Sequence, residues 1–182
     1  VAVLPFSGYS YVEALINASL PQVLQALNNA LGYFGGVPLS VKSDNMKQWV
    51  VRSNRYEPKF ADVLEQWANH NNIALLATRP AKPRDKASVE GAVKITYQRI
   101  YAPLRNETFK SISELNLAIG LQLKEHHQKN FQRKTFSRTE LFESSEKPIL
   151  NPLPESSFIM KHYTRAKVQR DYHVVLGEDW HF

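Results

Sequence analysis

The 182 residues contain no cysteine. Neither a disulfide framework nor a cysteine-based zinc site can form, and the absence fits a reducing, cytoplasmic compartment. No apolar run approaches the ~20 residues that a membrane span requires, so no membrane partner is expected. Glycine is scarce, and no Gly-rich phosphate loop is present, so ATP hydrolysis is not encoded here. Methionine is absent from the start: the chain opens at Val1 inside an apolar run with no charged leader. It reads as a piece of a longer protein with no visible targeting segment. Acidic residues are sparse as well, since positions 1–43 hold no Asp and a single Glu, Glu13. The six histidines (His70, His126, His127, His162, His173 and His181) lack a second ligand at zinc-like spacing. No Ser-His-Asp arrangement can be picked out either.

Other features are plentiful. Hydrophobic residues make up 43% of the chain, enough for a sizeable core. The net charge is +6, and it is unevenly spread. Arg79 to Lys110 carries eight basic and three acidic residues, and Lys124 to Glu140 carries five and two. A third excess gathers Lys161, Arg165, Lys167 and Arg170 around Asp171. Basic clusters of this kind suit a polyanion, because each neutralised phosphate releases counterions. A soluble protein that is merely basic satisfies the same pattern.

The order of elements predicts an α/β fold. Val1–Leu4 and Tyr9–Leu15 read as short strands around the turn at Pro5–Gly8. "SLPQVLQALNNALGYFGGVP" reads as a helix, capped by Ser19, with Pro21 in its first turn and Gly35-Gly36 ending it. Val23, Leu24, Leu27, Ala30, Leu31 and Phe34 repeat with the helical period and define its buried face. Leu39–Asp44 is a strand. Phe60, Val63, Leu64, Trp67 and Ala68 mark a second helix, and Ile73–Thr78 a further strand. "RPAKPRDKAS" is a basic, Pro-rich loop leading into a helix over about Lys86–Tyr101 that Pro103 should stop. Ser113 should cap another helix reaching Lys129. Helices against a mixed sheet are expected over 1–145, a Pro-rich linker over 146–157, and the beginning of a small all-β, barrel-like domain over 158–182.

Carboxylates give the first hint of chemistry. In α/β sheets functional groups gather at the carboxyl ends of strands, and Asp44 sits at such an end. Glu90, 46 residues later, lies in the helix reached from the next strand. Two carboxylates with no His or Cys nearby suit Mg²⁺ or Mn²⁺, and beside a basic groove they suit two-metal phosphoryl transfer. Two plainer readings stand beside this one. Asp44-Asn45 also forms an ordinary turn pair, and Glu90 also pairs with Lys86 or Lys94 one helical turn away. Helical spacing puts Lys86, Glu90, Lys94 and Tyr97 on one stripe. Trp67 belongs to the core, whereas Trp49, between Lys47 and Arg52, suits either packing or base stacking.

"YFGGVP", "SDNMK", "TRPAKPRDKASVEGAV" and "LRNETFKSISELN" occur in the order seen in the IstA transposases, and the chain resembles that family along nearly its whole length. These enzymes form the bacterial insertion-sequence-21 family, within the DDE transposase and retroviral-integrase superfamily, whose core is RNase H-like. The resemblance implies that Asp44 is the second catalytic Asp and Glu90 the catalytic Glu, together holding two Mg²⁺ or Mn²⁺ ions. It places the first catalytic Asp upstream of Val1, because Glu13 falls in the "YVEA" strand rather than at that position. A chain with only two of three ligands is expected to be inactive alone. The resemblance further implies transposon-end and target DNA as substrates, an AAA+ ATPase helper, at least a dimer on paired ends, and a nucleoid-associated place in a bacterial cytoplasm. Lys47, Arg84, Lys86, Lys94 and Arg99 are the expected DNA contacts. The rival reading is a non-catalytic DNA-binding or assembly module of a transposition complex.

Overall fold

The computed structural model describes residues 1–43, 50–52, 59–77, 87–161, 167–168, 170, 172–176 and 179–181. Strands β1 (Ala2–Val3) and β2 (Ser10–Tyr11) pair antiparallel, Ala2 opposite Tyr11. Helix α1 (Leu20–Phe34) follows the expected bounds. Ser19 stands at its N-cap position, although its side chain makes no cap bond; its carbonyl accepts from the Val23 amide at 3.0 Å. Gly35 closes the helix in the left-handed region, at φ 69°, where glycine meets no Cβ penalty.

Strand β3 (Ser40–Ser43) runs parallel to β6 (Ala74–Ala77), Ser40 opposite Ala74 and Ser43 opposite Ala77. Parallel neighbours need a crossover. Here it contains β4 (Val50–Arg52), β5 (Lys59–Phe60) and helix α2 (Asp62–His70). The antiparallel β4–β5 pair was not expected, and it takes Phe60 out of the helix assigned to it.

The face of α1 explains how the layers join. Leu24 and Leu31 share a buried cluster with Leu64, Trp67, Ala68 and Ile73, against which Val41 of β3 and Leu75 of β6 pack. Ala30 and Phe34, further along, meet Leu4 and Phe142 in a second cluster that also takes Ala2, Tyr9 and Tyr11. One helix therefore underlies both strand pairs. Trp67 is fully buried, as its place on the apolar stripe requires, and its indole N–H donates to Asn28 Oδ1 at 2.8 Å.

Helix α3 (Ala87–Thr96) passes into a π turn, Tyr97–Tyr101, and then into α4 (Ala102–Leu104). Pro103 does not stop it, contrary to expectation. The wider π turn just ahead accommodates the ring and the missing N–H, and Pro103 falls in the first turn of α4. Helix α5 (Ile112–Gln128) is capped by Ser111, not Ser113: the Ser111 Oγ accepts from the Glu114 amide at 3.1 Å. Its Ile119 and Leu123 bury against Val12, Ile100 and Leu104 in a third cluster. Helix α6 (Arg138–Leu141) opens with a full Ser137/Glu140 capping box.

The stretch after α6 lies on the core. The Glu146 carboxylate is buried and accepts from the Phe6 amide at 3.0 Å, the Ser7 amide at 3.2 Å and the Ser7 hydroxyl. Val37 and Asn151 exchange backbone hydrogen bonds of 2.8 and 2.9 Å. Gly36 permits this approach, because a Cβ there would lie 2.7 Å from Leu150 Cβ and 2.9 Å from the Asn151 carbonyl oxygen. Phe158 and Met160 pack on the first cluster, and the Asn28 amide donates to the Phe158 carbonyl at 3.0 Å. Beyond them, β7 (Val174–Leu176) and β8 (Asp179–His181) form an antiparallel pair. Among the described residues no helix is long and apolar enough to cross a membrane.

Candidate functional site

Because β3 and β6 are parallel and in register, their carboxyl ends share one edge of the pair. Asp44 is next in sequence after Ser43, and positions 78–86 connect Ala77 to α3. Asp44, Lys47, Trp49, Arg84 and Lys86 lie outside the described residues. Glu90 is exposed in the first turn of α3, where the helix dipole favours a negative charge. Lys94 is exposed in the last turn. At 3.6 residues per turn, Lys94 and Tyr97 sit within roughly 40° of Glu90 around the axis. Tyr97 is 63% exposed, and Tyr101 meets it edge-on at 5.4 Å. Thr96 and Ile100 face inward. Among the described residues, no ion pair joins Glu90 to Lys94. Of the stripe read from spacing, Glu90, Lys94 and Tyr97 are thus exposed on one face, and Lys86 lies outside the described residues.

Two other acids are otherwise engaged. Glu13 accepts from the Tyr11 hydroxyl at 2.9 Å and from the Asn29 amide at 3.1 Å, so a polar clasp between β2 and α1 occupies it. Glu146 serves the Phe6–Ser7 turn. Among the described residues no three of His, Cys, Asp and Glu converge as metal ligands. Of the expected pair, only Glu90 is therefore placed, and its oxygen donors suit a hard divalent cation.

Arg99 stands apart from that stripe. It is exposed on the π turn, which packs against α5, and it lies near enough to Arg138 and His126 to influence both. Burial, then the charges of Arg138, Arg99 and Lys129, hold the His126 imidazole down to about 4. The Arg138 guanidinium lies 4.4 Å over the Phe131 ring. The sequence signal for Arg138 and His126 is the basic excess from Lys124 to Glu140, beside which Arg99 is an expected DNA contact in its own right. His127, next along α5, is an internal fastener rather than a ligand. The Ser10 amide donates to its Nε2 at 3.2 Å, and Tyr33 Oη lies 3.2 Å from its Nδ1.

The fold has known counterparts. The catalytic core domain of bovine immunodeficiency virus integrase superposes with a TM-score of 0.61, at 18% identity, over 80% of this chain and 85% of that one. The likeness establishes an RNase H-like α/β fold of the integrase-core kind. Sequence then narrows it. A putative transposase for insertion sequence IS408 of Burkholderia multivorans is 37% identical over 97% of this chain and 34% of its own length. The transposase for insertion sequence element IS21 of Pseudomonas aeruginosa is 27% identical over 97% of this chain and 45% of its own length. No family model matches. Over nearly its whole length the chain is thus similar to insertion-sequence transposases, that of IS21 among them, and its fold is that of an integrase catalytic core. It spans about a third of the length of the IS408 relative.

Proposed function

We propose that this chain is the catalytic core of a DNA transposase, with Asp44 and Glu90 as two of its metal-holding carboxylates. The observation that carries the reading is Glu90, exposed and free of Lys94, on the helix entered from the β3/β6 edge beside which Asp44 falls in sequence. Such ions, Mg²⁺ or Mn²⁺, when bound supply charge neutralisation at the scissile phosphate and an acidified attacking hydroxyl. The oxygens of Asp44 and Glu90 are the right donors for them. Lys94 and Tyr97 line the same face, so the cation neutralises a neighbouring phosphate and the phenol ring bounds the strand. Lys47, Arg84, Lys86 and Arg99 extend the basic surface along the DNA. The reaction is hydrolysis at the transposon ends, followed by attack of the freed 3′-hydroxyl on a target phosphodiester. With two of the three carboxylates that the DDE pattern uses, these 182 residues are expected to turn over no DNA alone. An AAA+ ATPase helper and a dimer on paired ends complete the proposed assembly.

The test is an end-cleavage and strand-transfer assay in Mg²⁺ with the full-length protein. Asp44→Asn and Glu90→Gln should each abolish both reactions and leave DNA binding nearly intact. Strand transfer at near wild-type rate by either variant would sink the assignment. If the wild type binds DNA but cleaves nothing, the non-catalytic reading takes its place.

A further inference from the structure

The connection from α5 to α6 is built as a small, stiff, cationic loop. Between His126 and Thr139 the sequence contains no acid, but it contains Lys129, Arg133, Lys134 and Arg138. Asn130 and Ser137 form a backbone bridge, the Phe131 amide donates to the Phe136 carbonyl at 3.1 Å, and the Lys134 amide donates to the Phe131 carbonyl at 3.0 Å. Arg133 takes a left-handed conformation at φ 61°, which turns the chain at the tip. The Phe131 and Phe136 rings meet edge-on at 5.8 Å. Arg138 covers the Phe131 ring at 4.4 Å, and the Lys134 ammonium lies 6.0 Å from the Phe136 ring.

Carboxylates near the loop are already committed. Glu125 pairs with Lys129 at 2.7 Å, and Glu140 is taken up by the capping box of α6. Among the described residues, Arg99, Arg133, Lys134 and Arg138 have no carboxylate partner. Holding several like charges together without counter-charge costs free energy that an incoming anion recovers. The loop is ordered by the fold itself, so an anion binding there loses little to ordering.

We propose that the loop 129–138, together with Arg99 and His126, is a second DNA-binding surface that grips the phosphate backbone without reading sequence. The inference rests on the reading of this chain as a DNA-handling core and adds a contact away from the carboxylate stripe. An arginine over a phenylalanine ring, as Arg138 is over Phe131, presents its guanidinium edge, the geometry for phosphate oxygens. The ring faces are taken up by those cations, which argues against base stacking as the mode of contact. Burial first, and then the charges of Arg138, Arg99 and Lys129, keep the His126 imidazole neutral beside the loop.

The experiment is a titration of full-length protein with a fluorescent random-sequence duplex at several salt concentrations. The variant is the double substitution Arg133→Ala/Lys134→Ala at the exposed tip, where no core contact is lost. The control is Lys110→Ala/Lys147→Ala, which removes equal charge elsewhere. The tip variant should lower the slope of log affinity against log salt by about two and weaken binding at least tenfold at low salt. The control should leave the slope unchanged. An unchanged slope in the tip variant overturns the inference while Glu90-dependent cleavage still stands, and would direct the loop towards an acidic protein. A wild type that binds no duplex at any salt overturns both proposals.

Discussion

Replacing His127 by Gln tests the join between the β1–β2 hairpin, α1 and α5. The imidazole is buried, accepting from the Ser10 amide on Nε2 and facing the Tyr33 hydroxyl on Nδ1. Accepting on Nε2 requires the neutral ring with its proton on Nδ1. A second proton would confront the Ser10 N–H donor with another donor. Burial, then His126 and Arg138, push the imidazole down to about 3, against 6.5 for an unhindered ring. Between those values the unfolded chain binds a proton that the folded chain refuses. Stability is therefore intact above pH 6.5 and lost as the pH falls. From pH 7 to pH 5 this one group removes about 2 kcal/mol, a substantial share of a total near 5–15 kcal/mol. Gln retains an acceptor for Ser10 and a donor for Tyr33 but does not titrate. Urea unfolding, followed through the buried Trp67, should show the loss between pH 7 and 5 shrinking by about 2 kcal/mol in His127→Gln. Parallel pH curves for the two proteins would refute the argument.

Gly36→Ala should destabilise the protein by about 1–3 kcal/mol, because its Cβ would meet the Asn151 carbonyl and Leu150; calorimetry that finds it neutral would show that the strap over residues 147–151 gives way freely. Lys94→Ala should weaken DNA binding for all sequences and lower the log–log salt slope by about one, since the lysine has no carboxylate partner on the helix to retain it. A salt titration that leaves the slope unchanged would remove α3 from the DNA interface.

Much of the frame was legible because particular residues punctuate it. Ser19, Pro21 and Gly35 bracket α1 where chain geometry demands them, and the spacing of Leu24, Leu31 and Phe34 is a helical period. Short apolar runs between turn signals marked β3 and β6 to within a residue or two. Ser111 was legible as the cap, because Glu114 three residues on completes a Ser-x-x-Glu pattern that Ser113 lacks, and the Glu114 amide donates to Ser111. The other misses have physical causes. Pro103 signals a break unless the preceding turn widens, and nothing local announces a π turn. The β4–β5 pair is short and carries no turn dipeptide of the usual kind. At the site, Glu90 and Lys94 fell where spacing put them, because exposed helical positions depend on periodicity alone. The loop 129–138 escaped because charge excess shows that cations are close in sequence, not that rings and a backbone bridge hold them on one surface.

The claim at the centre is that Asp44 and Glu90 share a divalent cation. Crystals of the full-length protein soaked in Mn²⁺ and measured at the manganese edge test it directly. The account predicts an anomalous peak bonded to carboxylate oxygens of both residues at about 2.0–2.2 Å, lost in Glu90→Gln. A peak elsewhere, or carboxylates too far apart to ligate one ion, would contradict it.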